Sequence, residues 1–165
     1  MVNIDIEKVK IEGNVLDIGS INYGIVYRIC KELDNAVEVD YVSEDRQNIK
    51  TNFYDTAIIF FNVSNLAFES ERKDLIKEAA KCLSTDGEII IWDVEKKRGK
   101  KVNTDVNMIF KSGDNRIVNI RRNNIFTSNS LSSTKTLIEG FFDIIEENQI
   151  ENIFFIRAKK KENTL

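Results

Sequence analysis

Two apolar spacings alternate along this chain. Asn14-Val15-Leu16-Asp17-Ile18 is a short apolar run that closes on an acid and a Gly19-Ser20 turn. Ile25, Val26, Ile29, Cys30 and Leu33 then recur at helical spacing on one face, which predicts a helix from about Tyr23 to Leu33. Ala36–Val42 alternates as a second strand. Tyr54–Val63 is a near-continuous apolar run, the signature of a parallel strand covered on both faces. Glu69–Leu83 carries Leu75, Ile76, Ala79, Ala80, Cys82 and Leu83 on one helical face, with Glu69 and Glu71 placed to complement its dipole. Ser84-Thr85-Asp86-Gly87 predicts its stop, and Glu88–Val94 a further strand.

The ends of the chain add less regular pieces. Val2, Ile4 and Ile6 alternate like a strand, while Ile6 and Val9 are also compatible with the start of a helix. Asp34-Asn35 reads as a turn, and residues 43–52 as a polar loop or a single helical turn. Val106–Phe110 and Ile117–Ile120 flank Ser112-Gly113-Asp114-Asn115, which predicts a β-hairpin, taken as an insertion over 100–122. A Ser/Thr-rich entry before Leu137-Ile138 and Gly140 predicts a short capped helix. Phe141–Glu147 and Asn152–Ala158 predict the last two strands, and Lys159-Lys160-Lys161 a frayed tail. Strands alternating with helices point to an α/β fold with a mostly parallel sheet, formed as one domain over residues 1–165.

Composition narrows the chemistry. The 165 residues contain no histidine and two cysteines, which removes the commonest general base and makes no case for a metal site. Cys30 and Cys82 fall on apolar helical faces, so buried reduced thiols and a cytoplasmic setting are expected. A net charge of −3 supplies no overall attraction to nucleic acid, and no apolar run is long enough to span a membrane. Met1–Asp5 shows no secretory pattern. Lys96-Lys97-Arg98-Gly99-Lys100-Lys101 and Arg121-Arg122 concentrate positive charge around the hairpin. Such runs usually form a solvated loop, but here one would also suit an acidic or phosphate-bearing substrate.

Val15-Leu16-Asp17-Ile18-Gly19-Ser20 resembles the first motif of class I S-adenosylmethionine-dependent methyltransferases. Val39-Asp40-Tyr41-Val42-Ser43-Glu44 resembles the end of that family's second strand, and Leu83–Ile91 its later helix-turn-strand. Ile21 and Tyr23 stand where the second and third glycines of the family turn are expected, with Gly24 one place late. The stretch between Ser43 and Phe53 is too short for the family's third, edge strand. The resemblance implies a three-layer Rossmann-like sheet of about six strands, closed by an antiparallel hairpin.

It also implies methyl transfer from S-adenosylmethionine to a small-molecule or macromolecular acceptor, catalysed mainly by positioning. Asp17, Gly19, Ser20, Gly24, Asp40 and Asn62 become candidate cofactor residues, with Asp40 on the ribose hydroxyls. Asn62 is also the candidate for orienting the acceptor. The rival reading is a methyltransferase-like fold that binds a partner without turnover. Loss of the third strand would leave the second strand as an open edge, where a homodimer is expected. A nicotinamide-dependent oxidoreductase is a weaker third reading.

Overall fold

Val15 and Leu16 stand on opposite faces of the first long strand, and that alternation sets the layers of the molecule. The computed structural model describes residues 1–33, 36–42 and 49–162. The expected turn at Asp34-Asn35 and most of the polar 43–52 segment lie outside the described residues. The elements run β1 (Val2–Asp5), β2 (Gly13–Ile18), α1 (Ile25–Glu32), β3 (Ala36–Val42), β4 (Tyr54–Phe60) and α2 (Glu69–Cys82). There follow β5 (Leu83–Val94), β6 (Val102–Ile109), β7 (Asn115–Arg122), α3 (Leu131–Ile138), β8 (Phe142–Ile150) and β9 (Ile153–Lys160).

Among the described residues the main sheet has six strands, in the order β3-β2-β4-β5-β9-β8. β3, β2, β4 and β5 are parallel, and β9 enters antiparallel between β5 and β8. Among the described residues β3 pairs only with β2, at one edge of this sheet. One face packs α2 and α3 against Leu16, Ile59, Ile89, Ile91 and Phe154. The other face buries α1 through Ile25, Val26, Ile29 and Cys30. Each such aliphatic side chain contributes roughly 1.5–3 kcal/mol by leaving water. Cys30 and Cys82 are buried in the two separate cores, on opposite faces of the sheet, and are not joined by a disulfide.

A second sheet, β1-β6-β7, completes the α1 face. β1 runs parallel to β6 in the register Val2↔Val106 to Asp5↔Ile109, which resolves the N-terminal ambiguity as a strand. Val2, Ile4, Val106, Met108, Val118 and Ile120 bury against Val15, Phe60, Trp92 and Val94 of the main sheet. The expected hairpin is therefore a packed layer rather than a projection.

Several boundaries differ from the sequence reading. β4 stops at Phe60, because Phe61 takes a left-handed backbone conformation with φ 53°. β5 begins at Leu83, and the Ser84–Gly87 segment read as a stop lies inside it as an irregularity between the Tyr54↔Leu83 and Thr56↔Glu88 pairs. Lys160 does not fray. It is buried in β9 with Nζ donating to the Leu83 carbonyl at 2.8 Å, since that strand-end carbonyl needs a donor. Among the described residues no helix is long and apolar enough to cross a membrane.

Candidate functional site

The carboxyl ends of β2 and β4 lie side by side, and the chain joins them through one amide. Asn62 is 1% exposed. Its Oδ1 accepts from the Ile21 N–H at 3.0 Å and from Ser20 Oγ at 3.4 Å. Its Nδ2 donates to the Ile21 carbonyl at 3.1 Å and to the Phe60 carbonyl at 3.0 Å. Two donors and two acceptor sites are all an asparagine side chain offers, so the Asn62 amide is fully engaged, three times by the turn and once by β4. The left-handed Phe61 is what swings this side chain back toward β2. An aromatic residue held in that region marks a constrained segment, here pinned by Arg122 donating to the Phe61 carbonyl.

Gly19 is required by this clamp. A Cβ there would fall 2.2 Å from the Asn62 side chain, far inside contact distance. Asn65, beyond the clamp, donates from Nδ2 to Ser20 Oγ at 3.1 Å. Gly24 caps α1 in a left-handed conformation, φ 68°, with its N–H donating to Asn22 Oδ1 at 2.7 Å. Tyr23 turns into the core, edge-on to Phe60 and Phe61 at 5.8 and 6.4 Å between ring centroids. The aromatic that replaces an expected glycine is thus a packing residue.

Gly19→Ala is expected to destabilise the protein by about 2 kcal/mol, because Asn62 must abandon hydrogen bonds that keep buried backbone groups satisfied. Asn62→Ala is expected to lose a similar amount. Urea unfolding of both single variants and the double variant checks the coupling, since the second change should add little once the first has opened the clamp.

The acids of the turn differ in their surroundings. Asp17 is 5% exposed on the α1 face and has no hydrogen-bond partner among the described residues. Burial pushes its carboxyl up to about 7. Burial, and secondarily the Asp17 charge, pushes the neighbouring Cys30 thiol up to about 12. Asp40 pairs in register with Leu16, one position short of Asp17, and its Oδ2 accepts from Tyr54 Oη at 2.6 Å. Tyr41, which the sequence reading passed over, reaches the turn instead, donating from Oη to the Gly19 carbonyl at 3.0 Å. Asp17, Gly19, Ser20, Gly24 and Asn62 therefore gather around one turn, whereas Asp40 stands beside it.

A second polar cluster lies under the carboxyl ends of β4 and β5. Asp93 is fully buried, accepting from the Ser64 N–H at 2.8 Å and the Val94 N–H at 2.7 Å. Arg122 is buried too, and its Nε donates to Ser64 Oγ at 2.7 Å. Burial raises the Asp93 carboxyl above its ordinary range, while Ser64 and Arg122 pull the other way. Lys96, read from sequence as part of a solvated run, is 3% exposed and donates to the Thr127 carbonyl. The signal for this cluster was the acid at the end of an apolar strand, Trp92-Asp93-Val94, but its partners lie 29 or more residues away. Among the described residues no cluster of metal-ligating side chains occurs.

No protein-family model matches the sequence, and no curated protein does. Solved structures with the same architecture include several methyltransferases, all at low identity. An S-adenosylmethionine-dependent methyltransferase from Clostridium acetobutylicum superposes with a TM-score of 0.61 at 11% identity, over 92% of this chain and 85% of that one. The 1,6-didemethyltoxoflavin-N1-methyltransferase of Burkholderia thailandensis, solved with 1,6-didemethyltoxoflavin and S-adenosylhomocysteine, gives 0.57 at 12%, over 90% and 71%. The N-methyltransferase NodS of Bradyrhizobium japonicum, solved with S-adenosylhomocysteine, gives 0.50 at 12%, over 90% and 78%. At such identities the likeness establishes the fold, which is α/β, three-layered and Rossmann-like.

Proposed function

We propose that this chain, which has the fold of class I S-adenosylmethionine-dependent methyltransferases, binds S-adenosylmethionine and transfers its methyl group to a small-molecule acceptor. The observation that carries this reading is Asp17, a buried carboxylate beside the glycine turn with no hydrogen-bond partner among the described residues. A desolvated acid so placed suits a cationic ligand, and S-adenosylmethionine carries both an ammonium and a sulfonium. When bound, the cofactor supplies a methyl group activated for attack by a nucleophile.

The chain's own residues would act by holding and orienting. Gly19 and Ser20, fixed by Asn62, shape the turn beneath the cofactor. Tyr54 holds one oxygen of Asp40, which leaves Oδ1 to accept from a ribose hydroxyl. Gly24 opens α1 at the far side of the same turn.

Isothermal titration calorimetry with S-adenosylmethionine and S-adenosylhomocysteine tests the reading. Binding at about 100 µM or tighter, near −5.5 kcal/mol, is the expected result. Asp40→Ala is expected to weaken it about tenfold with the fold intact, the loss of one charged hydrogen bond. Absence of heat, together with no thermal shift at millimolar ligand, would sink the proposal. It would favour the second reading, a partner-binding fold without turnover that pairs through the β3 edge. Ile21 in place of a turn glycine and the open edge of β3 among the described residues support that alternative.

A further inference from the structure

Two cavities open beside the glycine turn and share walls. The nearer, of about 260 Å³, is bounded by Ser64 and Asn65 on one side and by Arg121, Asn123 and Asn124 on the other. Asn65 ties it to the turn through its bond to Ser20. The farther, of about 550 Å³, has Arg72, Lys73, Phe126, Ser133 and Leu137 in its lining. Ala67 and Thr127 line both, so the two form one groove leading away from the turn between α2 and the β7–α3 connection.

The groove is cationic. Among the described residues the only acid in its lining is Glu69, which is paired with Lys73 Nζ at 2.7 Å. Asp93 lies beneath the surface and accepts from the Ser64 N–H, while Ser64 Oγ accepts from Arg122. Arg72 is held in the floor by the carbonyls of Leu66 and Ser128. Arg121 is exposed, and only its Nε is engaged among the described residues, by Asn119 Oδ1 at 2.6 Å. Gly99 donates to the Ile125 carbonyl at 2.7 Å, which brings the exposed cations Lys97, Arg98 and Lys100 alongside the same connection. Phe126, 75% exposed, and Leu137 add apolar wall at the outer end.

Building on the methyl-transfer reading above, we propose that this groove is the acceptor site and that the acceptor is a small organic anion, a carboxylate or phosphate carrying an apolar or aromatic part. The cations supply charge-assisted hydrogen bonds to the acid, and Phe126 and Leu137 supply contact for the apolar part. An acceptor atom that arrives already ionised has no proton to lose. That suits a groove whose one carboxylate is tied to a lysine and a chain without histidine. Its volume is in the range of small-molecule sites.

The test is a set of nuclear magnetic resonance titrations of the whole chain. Benzoate and phenyl phosphate at about 10 mM, a concentration suited to weak ligands, are expected to shift amide peaks of residues 64–67 and 121–127. The better of the two identifies the acid. Benzamide, the neutral analogue, is expected to shift them at least about fivefold less, and Arg121→Gln to reduce the anion shifts by a similar factor. Arg121 is exposed, so that variant retains the fold. Equal shifts from benzamide, or none from either anion, would overturn the proposal. So would hexauridylate binding with far larger shifts spread over residues 97–101, which would assign the surface to nucleic acid. A parallel titration with S-adenosylhomocysteine, read at residues 17–24, keeps the two readings apart. Cofactor shifts without anion shifts reject the groove alone, and anion shifts without cofactor shifts reject the methyl-transfer reading and with it the acceptor role, leaving an anion site.

Discussion

Arg122→Met is expected to destabilise the protein by about 3–5 kcal/mol at pH 8, the range for breaking a buried charged network by removing one member. The guanidinium of Arg122 has three engagements. Nε donates to Ser64 Oγ, one terminal nitrogen donates to the Arg121 carbonyl at 2.8 Å, and the other donates to the Phe61 carbonyl. Ser64 passes the interaction on, since its hydroxyl and its N–H both bond Asp93. Removing the guanidinium therefore takes from the fully buried Asp93 the cation that Ser64 links to it, leaving Arg72 as the other cation in its field. It also strands the carbonyl of Phe61, the residue whose left-handed backbone turns Asn62 toward the glycine turn. Methionine fills most of the volume but restores neither the charge nor the donors. Urea unfolding measures the loss. The double variant Asp93→Asn/Arg122→Met is expected to recover about half of it, because no buried charge then remains unpaired. A single variant within about 1 kcal/mol of the parent would show that the pair carries no such energy.

Asp17→Asn is expected to change how stability depends on pH. The Asp17 carboxyl is raised from 3.8 to about 7 by burial, so between those values the folded chain holds a proton that the unfolded chain has released. Stability linked to this group is therefore full below pH 4, falls as pH rises, and reaches its minimum above pH 7. A shift of that size corresponds to at most about 4 kcal/mol, at 1.36 kcal/mol per pH unit. The Asn variant cannot ionise, so its stability relative to the parent should climb from pH 4 to pH 7 and then level. Part of the gain is offset by the desolvated amide. Asp93, whose carboxyl is also raised, and the outer ion pairs are common to both proteins, so the difference between the two curves isolates Asp17. A difference that stays flat from pH 4 to pH 8 would refute the assignment. S-adenosylmethionine, if it places a cation beside this carboxylate, should lessen the parent's loss above pH 7.

These two residues illustrate different degrees of legibility. Asp17 is visible in sequence because an acid at the end of an apolar strand before a glycine turn is a local pattern. Its burial against Ile58 of β4 and beneath Cys30 of α1 is what turns it into an uncompensated acid. Arg122 reads as one more cation near the end of a hairpin. Only the tertiary packing brings it to Ser64 and so into the field of Asp93. Asn62 was singled out for its place after β4, yet its neighbours along the chain do not reveal that three of its four hydrogen bonds serve a turn 41 or 42 residues away. Tyr41 was hidden by its neighbour Asp40, since a one-residue difference in register decides which of them faces the turn.

The order of elements, the buried faces of α1 and α2, the parallel core strands and the closing hairpin were set by the sequence alone. Each rests on apolar spacing within a dozen residues, where backbone geometry dictates which side chains share a face. Tertiary structure decided the rest. It paired β1 with β6 across about a hundred residues of chain. It drew Lys96 and Lys160 out of solvent to satisfy carbonyls at strand and loop ends. It brought Ser64, Asn65 and Arg121 to one cavity beside Ser20. Such pairings depend on which distant groups the packed sheet brings within hydrogen-bond reach, and no local periodicity encodes that distance.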